Sequence, residues 1–372
     1  MEMAVLACLS YGPGVFVGLL AGGWVDRSRK REILVGADLV RALAVASVPV
    51  AAWLGRLEVI QVYVVAVVVG AATALFQIAD VALLPRLLPR EKLVEGNAKL
   101  AATESVAEVT GPALAGLLIQ ALGAPLAVLL DAASYVWSAL FLRSLSQKEV
   151  PVAAGERPSF LHDLAIGARA TLGHPVVGPL VAATGTTMFS AGAFAALYML
   201  YTLRTLGLSA STVGVIIGVG GLGSLGGTVL ARALPPRLGI GRTLVSSLAV
   251  YQLAGLLIPV AGLPSVPRAL APWLLVAHQL VGDSFFMVFF VLATSLRQSL
   301  LPQELLGRAN ATLQIVTGSL LPLGALAAGL VAGALGARET LLAFSVLGLA
   351  GPAILVASKA VRAQTDAPRG GR

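Results

Sequence analysis

Apolar residues occur along this chain in long runs separated by short polar clusters. Eight stretches contain no Asp, Glu, Lys or Arg: 3–25, 59–79, 109–130, 170–203, 205–231, 243–267, 309–337 and 340–358. Three more are apolar but interrupted: 33–55 by Asp38 and Arg41, 123–145 by Asp131 with Arg143 near its end, and 270–297 by Asp283 with Arg297 at its end. A helix crossing the hydrocarbon core of a bilayer needs roughly 20 predominantly apolar residues. The pattern therefore predicts eleven spanning helices in an all-α polytopic membrane protein.

Composition strengthens this reading. Hydrophobic residues make up 57% of the 372 positions and charged residues only 12%, against about 25% charged in an ordinary soluble domain. The net charge of +8 invites a nucleic-acid reading, but topology accounts for it better. With the 22–31 loop on the cytoplasmic side and alternation from there, only Arg56, Arg204, Arg268 and Arg338 of the 26 basic residues fall on the outer side. That is the positive-inside bias. It places the 22–31 loop, the polar segment 143–175 and the C-terminus in the cytoplasm, and it predicts no nucleic-acid partner. The single cysteine, Cys8, excludes an intrachain disulfide.

The chain also repeats itself. "LPREKLVEGNAKL" from Leu88 reads against "LPQELLGRANATL" from Leu301, and at the same offset "GPALAGLLIQALGA" falls on "GALAAGLVAGALGA". Shared composition does not reproduce the polar Pro-x-Glu…Asn-Ala register, so a parallel duplication is expected, as in transporters built from parallel repeats. The glycine-rich "VGGLGSLGGTVLAR" (219–232) pairs with "GPGVFVGLLAGGWVDR" (12–27). The helix before 219 has no counterpart ahead of residue 12. The expectation is five helices plus six, with a first helix missing through truncation or a late start; the alternative is a genuine eleven-helix protein. Four parts follow: an N-terminal bundle over 1–145, a cytoplasmic linker over 146–175, a C-terminal bundle over 176–360 and a disordered basic tail over 361–372. In the linker, Phe160, Leu164 and Ala168 stand at helical spacing, as in an amphipathic helix lying on the membrane surface.

Between the first two apolar runs stands a dense charge knot, "GGWVDRSRKR" (22–31). Its Gly22-x-x-x-Asp26-Arg27-x-x-Lys30-Arg31 spacing resembles the loop signature of the major facilitator superfamily. "VDRSRKREILVGADLVRA", "LLPREKLVEGNAKL" and "GAPLAVLLDAASY" are similar to its branch of siderophore exporters and macrolide-efflux permeases. The resemblance spans essentially the whole chain. It implies two six-helix bundles rocking around a central cavity, and an inner-gate role for the knot. One departure is Arg29, where the family usually has glycine. Physically, Asp26 suits a helix N-terminus, and the cluster reads either as a topology anchor or as a latch in which Asp26 and Arg31 take part. Asp38 and Arg41, at i and i+3, are expected to pair with each other or with this cluster.

Acids inside spanning segments are expensive unless paired or solvated, and are functional hypotheses by default. Glu104 and Glu108 share one helix face; two close carboxylates disfavour double ionisation, which suits proton loading. The bland reading pairs them with Lys99 or Arg90 near the cytoplasm. Gly111-Pro112-Ala113-Leu114-Ala115-Gly116 follows and resembles an antiporter motif of drug exporters, with Ala115 in place of a glycine. Asp283 lies mid-segment in "HQLVGDSFFMVFF" and is the best candidate for a buried acid near substrate. Asp80 reads equally as gate, ion pair or proton carrier, and Asp131 as a structural partner. Phe286 and Phe290 are candidates to line an apolar pocket.

No enzymatic constellation stands out. His162, His174 and His278 are scattered without metal-ligand spacing, and no phosphate-cradling Gly-x-x-x-x-Gly-Lys-[Ser/Thr] occurs. Neither metal nor cofactor is expected. The reading is a monomeric secondary transporter of the bacterial cytoplasmic (inner) membrane that exchanges protons for amphiphilic small molecules by alternating access. The alternatives are a metabolite uptake permease of the same fold, or a non-transporting membrane sensor or assembly protein.

Overall fold

The computed structural model describes residues 2, 4–10, 12–14, 17, 28–87, 93–144 and 160–364. Every regular element among them is helical. In chain order the longer ones are α1 (Lys30–Trp53), α2 (Val59–Leu87), α3 (Leu93–Leu122), α4 (Ala124–Ser144), α5 (Phe160–Leu172), α6 (Val177–Thr205), α7 (Ala210–Ala233), α8 (Ile240–Val260), α9 (Arg268–Leu300), α10 (Gln303–Leu335) and α11 (Ala337–Ala357). The 24 residues of α1 rise about 36 Å, enough to cross a hydrocarbon core of about 30 Å.

Nine of the described helices are long and apolar enough to span a membrane. The predicted run 3–25 lies mostly outside the described residues. The predicted run 109–130 is not one helix. It is cut at Gly123, where φ is +80°, so that Thr110–Leu122 becomes the end of α3 and α4 starts at Ala124. The second half breaks in the same register, at Gly336 with φ +91° between α10 and α11. Both positions need the left-handed conformation that glycine enters without steric penalty.

Two compact units result, Val5–Glu156 and Arg157–Arg372. In the first, α1 packs against α2 and α4 around Ile33, Leu34, Ala79 and Leu83. In the second, α8, α9 and α11 enclose Leu244, Leu248, Val288, Phe289 and Leu355. Here the closest crossings are made by small residues, as helices in lipid require for intimate contact. α6 meets α10 backbone to backbone at Gly192 and Gly324. α7 meets α9 through Gly220, Gly223 and Gly227, and there the Ser284 hydroxyl donates to the Gly223 carbonyl at 2.7 Å. The linker helix α5 belongs to this unit: Gly167 is buried against the backbone of Arg308 on α10. Leu43, Trp137, Val229 and Leu330 are all more than half exposed, as apolar side chains facing lipid would be.

Candidate functional site

The polar chemistry of the second unit converges on one cavity of about 300 Å³. Its wall is drawn from α6 (Ser190, Phe194, Tyr198), α7 (Ile217), α8 (Tyr251, Gln252) and α9 (His278, Gln279, Asp283). The α9 contribution depends on a local irregularity. His278–Gly282 is a single π turn inside an otherwise α-helical span. In an α-helix five positions rotate roughly 500°, leaving His278 and Asp283 about 140° apart. An i→i+5 turn closes those five positions into about one revolution, so His278, Gln279 and Asp283 all reach the same cavity.

Glycine on the facing helix makes room for them. A β-carbon at Gly220 would clash with the Asp283 carboxylate and stand 2.9 Å from the Gln279 side-chain nitrogen. The rest of the wall is aromatic and hydrogen-bonding. Phe194 stacks on the His278 ring at 6.4 Å between centroids. Gln252 donates its amide to the Thr187 hydroxyl at 3.3 Å. Tyr198 and Tyr251 lie within electrostatic reach of Asp283. Two buried polar atoms here lack a hydrogen-bond partner, the Tyr198 hydroxyl and His278 Nδ1. The His278 ring lies beside the Ala254 backbone, which acts on it electrostatically.

The first unit holds a different cluster. Asp38 and Arg41 of α1 form a buried ion pair, and the Arg41 guanidinium lies 4.3 Å from the Phe76 ring centroid on α2 and 4.6 Å from that of Tyr135 on α4. The charge of Arg41 also acts on Asp131, one turn before Tyr135. Asp38 Oδ2 and Arg41 Nε have no hydrogen-bond partner. At the start of α1, Arg29 pairs with Glu32 at 2.9 Å. Lys30 is fully buried and donates to the Ser28 carbonyl at 3.1 Å. Arg31 donates to the carbonyl of Arg143 in the last turn of α4, the negative end of that helix dipole.

The remaining sequence candidates are dispersed. Gly22, Asp26 and Arg27 lie outside the described residues, as do the side chains of Glu104 and Glu108 on α3. Asp80 is half-buried on α2, beside the fully buried Ala79. On α3, Pro112 sits inside the helix, Gly116 is buried, and Gly111 faces open space. Phe286 packs on Tyr251 at 5.0 Å, behind the cavity wall, and Phe290 is half-exposed. The hydrophobic pattern does not single out Phe194, Tyr198, Tyr251, Gln252, His278 or Gln279 as pocket residues. For all but Phe194 the available signal is an uncharged polar or amphipathic side chain inside an apolar span, which is costly there for the same reason as a charge.

Two bundles of membrane-spanning helices, one enclosing a polar cavity with an acid in its wall, define the class: a multi-pass membrane transporter. The chain belongs to the major facilitator superfamily, whose family model matches residues 2–321. It is 27% identical over 359 residues to the multidrug efflux pump Tap of Mycolicibacterium fortuitum, covering 93% of this chain and 84% of that protein. It is 29% identical over 338 residues to the enterobactin exporter EntS of Escherichia coli (strain UTI89 / UPEC), covering 88% and 76%. The crystal structure of the nucleoside transporter NupG matches with a TM-score of 0.74 at 14% identity, over 96% of this chain and 90% of that one. At that identity the likeness is one of fold.

Proposed function

We propose that this transporter is a proton-coupled exporter of amphiphilic small molecules, of the kind its relatives' names describe as drugs or siderophores, working as a monomer in the bacterial cytoplasmic membrane. The observation that carries the reading is Asp283, an acid in the middle of a spanning helix, in the wall of a cavity large enough for part of a substrate. An acid at that depth is retained for a task, and proton exchange against substrate is the task that fits a secondary transporter. Glu104, Glu108 and Asp80 are the further candidates for carrying protons. The halves, an N-terminal bundle over 1–145 and a C-terminal bundle over 176–360, alternate access, joined by the 146–175 linker. The knot from Gly22 to Arg31, with Asp38 and Arg41 behind it, forms the inner gate on the cytoplasmic side. The Gly111-Pro112…Gly116 segment bends or packs α3 during the cycle.

The test is efflux of a fluorescent amphiphile from energised cells producing the chain, with and without a protonophore. Collapse of efflux with the protonophore, in Asp283→Asn or in Glu104→Gln/Glu108→Gln, is the expected result. Full proton-dependent activity in both variants would sink these acids as coupling groups. Accumulation of the substrate inside the cells would establish uptake instead.

A further inference from the structure

We propose that one end of the second unit, formed by the α7–α8 connection and the segment after α11, is a docking surface for an anionic phospholipid. The inference needs only that the chain spans a membrane, and it does not depend on proton coupling. Two stretches far apart in the chain carry the charge. Arg232, Arg237 and Arg242 lie between the last turn of α7 and the first of α8, and Lys359 and Arg362 in the single helical turn that follows α11. All five residues are exposed. Neither 228–243 nor 350–364 contains an acid. An orientation signal needs such residues on one side of the membrane; it does not need them in one place.

The tertiary structure brings the two stretches together. The Gly241 N–H donates to the Gln364 carbonyl at 2.8 Å, and a β-carbon at Gly241 would meet the Val361 carbonyl and stand 3.0 Å from the Arg362 Cα. Around this contact Ala231, Ile240, Leu244 and Val361 share one apolar core. Buried and basic residues are neighbours in sequence: Arg232 follows Ala231, Arg242 follows Gly241 and Arg362 follows Val361. Burying the first of each pair leaves the second at the surface. Arg297, in the last turn of α9, adds a cation at the same end, next to the core residue Leu296. It is nine-tenths buried, and its Nε has no hydrogen-bond partner.

The surroundings select the occupant. α7, α8 and α11 are all long and apolar enough to span a membrane, so the ends they share lie at its surface. Leu238, directly after Arg237, and Val356, in the last turn of α11, are exposed there. Guanidinium and ammonium groups bind phosphate, and exposed apolar side chains beside them suit an acyl chain. A phospholipid joins the two chemistries in one molecule. A zwitterionic headgroup brings its own cation, which a basic surface repels, and a soluble phosphate lacks the chain.

The experiment is native mass spectrometry of the purified full chain in neutral detergent, titrated with dioleoylphosphatidylglycerol, dioleoylphosphatidylcholine or pyrophosphate. Phosphatidylglycerol is expected to bind about tenfold tighter than phosphatidylcholine, with pyrophosphate unbound. A cation at an anionic lipid surface contributes about fivefold. Arg237→Gln/Arg242→Gln and Lys359→Gln/Arg362→Gln should therefore each weaken phosphatidylglycerol about tenfold or more. Arg143→Gln/Arg169→Gln, which removes two exposed charges elsewhere, should leave it nearly unchanged. Gly241→Ala keeps every charge but parts the two stretches, and should weaken binding about fivefold. If Gly241→Ala fails to fold, the two glutamine pairs still decide. Equal affinity for phosphatidylcholine, unchanged phosphatidylglycerol affinity in either glutamine pair, or an equal loss in Arg143→Gln/Arg169→Gln would overturn the proposal. Pyrophosphate binding as tightly as the lipid would make this a soluble-anion site and overturn it too. Unchanged affinity in folded Gly241→Ala would overturn the single surface built from two stretches.

Discussion

Gly220 on α7 and Asp283 on α9 approach so closely that a β-carbon at residue 220 would clash with the carboxylate. The obstructing atoms are the ends of the Asp283 and Gln279 side chains, which swing aside more readily than backbone moves. Gly220→Ala should therefore leave thermal unfolding nearly unchanged and cut transport about tenfold, the effect of losing one charge-assisted contact. Gly226→Ala, whose added methyl would meet only the Ser284 hydroxyl at 3.7 Å, is the control and should transport normally. Equal transport in both variants would remove Asp283 placement as the reason for Gly220.

At Gly223 and Gly227 the same change has a different consequence. A β-carbon at Gly223 would stand 2.8 Å from the carbonyls of Gln279 and Leu280, and one at Gly227 would meet the Ser284 carbonyl. Backbone cannot swing aside, so α7 and α9 must part. Each variant should lose about 1–3 kcal/mol of stability, as overpacked sites do, read as a lowered unfolding midpoint in detergent. A midpoint matching that of Gly226→Ala would contradict the packing described.

Arg41 should be the most sensitive residue of the first unit. Removing one partner of a buried ion pair strands the other, at about 3–5 kcal/mol, so Arg41→Ala should strongly lower the yield of folded protein. Arg41→Lys should rescue only part of the loss, because an ammonium lacks the flat face that lies against Phe76 and Tyr135. Asp38→Ala/Arg41→Ala should be less destabilised than the sum of the two single variants, the signature of a coupled pair. Strict additivity would dissolve the pair as an energetic unit.

The two breaks at Gly123 and Gly336 should behave alike. Alanine at either is forced into a backbone region that L-residues avoid, costing about 1–3 kcal/mol. Gly333→Ala lies inside α10 with open space around it and should stabilise by roughly 0.5–1 kcal/mol, the ordinary gain of alanine over glycine in a helix. Unfolding midpoints of the three variants, measured together, check the order.

Arg31 separates gating from stability. Its hydrogen bond to the Arg143 carbonyl is exposed, so Arg31→Gln should change stability by less than about 1 kcal/mol. If the charge knot forms the inner gate, transport should nonetheless fall several-fold. Unchanged transport would leave Arg31 as a topology anchor.

Much of the first unit's chemistry is legible in the residue pattern. Asp38 and Arg41 stand one turn apart in an apolar segment, and a pair so placed has few alternatives to each other; the structure joins them. Asp283 stands out because an acid in a span is rare. Its surroundings do not. His278 reads as one of three scattered histidines, and at α-helical spacing it would point well away from Asp283. The break at Gly123 is hidden for another reason: the apolar run continues straight through it, and hydropathy carries no record of a sign change in φ.

What the sequence by itself determined is therefore most of the apolar spans, the basic residues that signal orientation, the repeated segments and the rarity of the acids within the spans. In a bilayer each helix satisfies its own backbone hydrogen bonds, so local composition decides where a span forms. The tertiary structure alone decided which of those residues share a cavity. That depends on a π turn in α9 and on glycines of α7 about 60 positions away, from Gly220 to Asp283. Helices in lipid gain little from hydrophobicity in choosing one neighbour over another; close packing makes that choice, and it is a property of two surfaces rather than of one sequence.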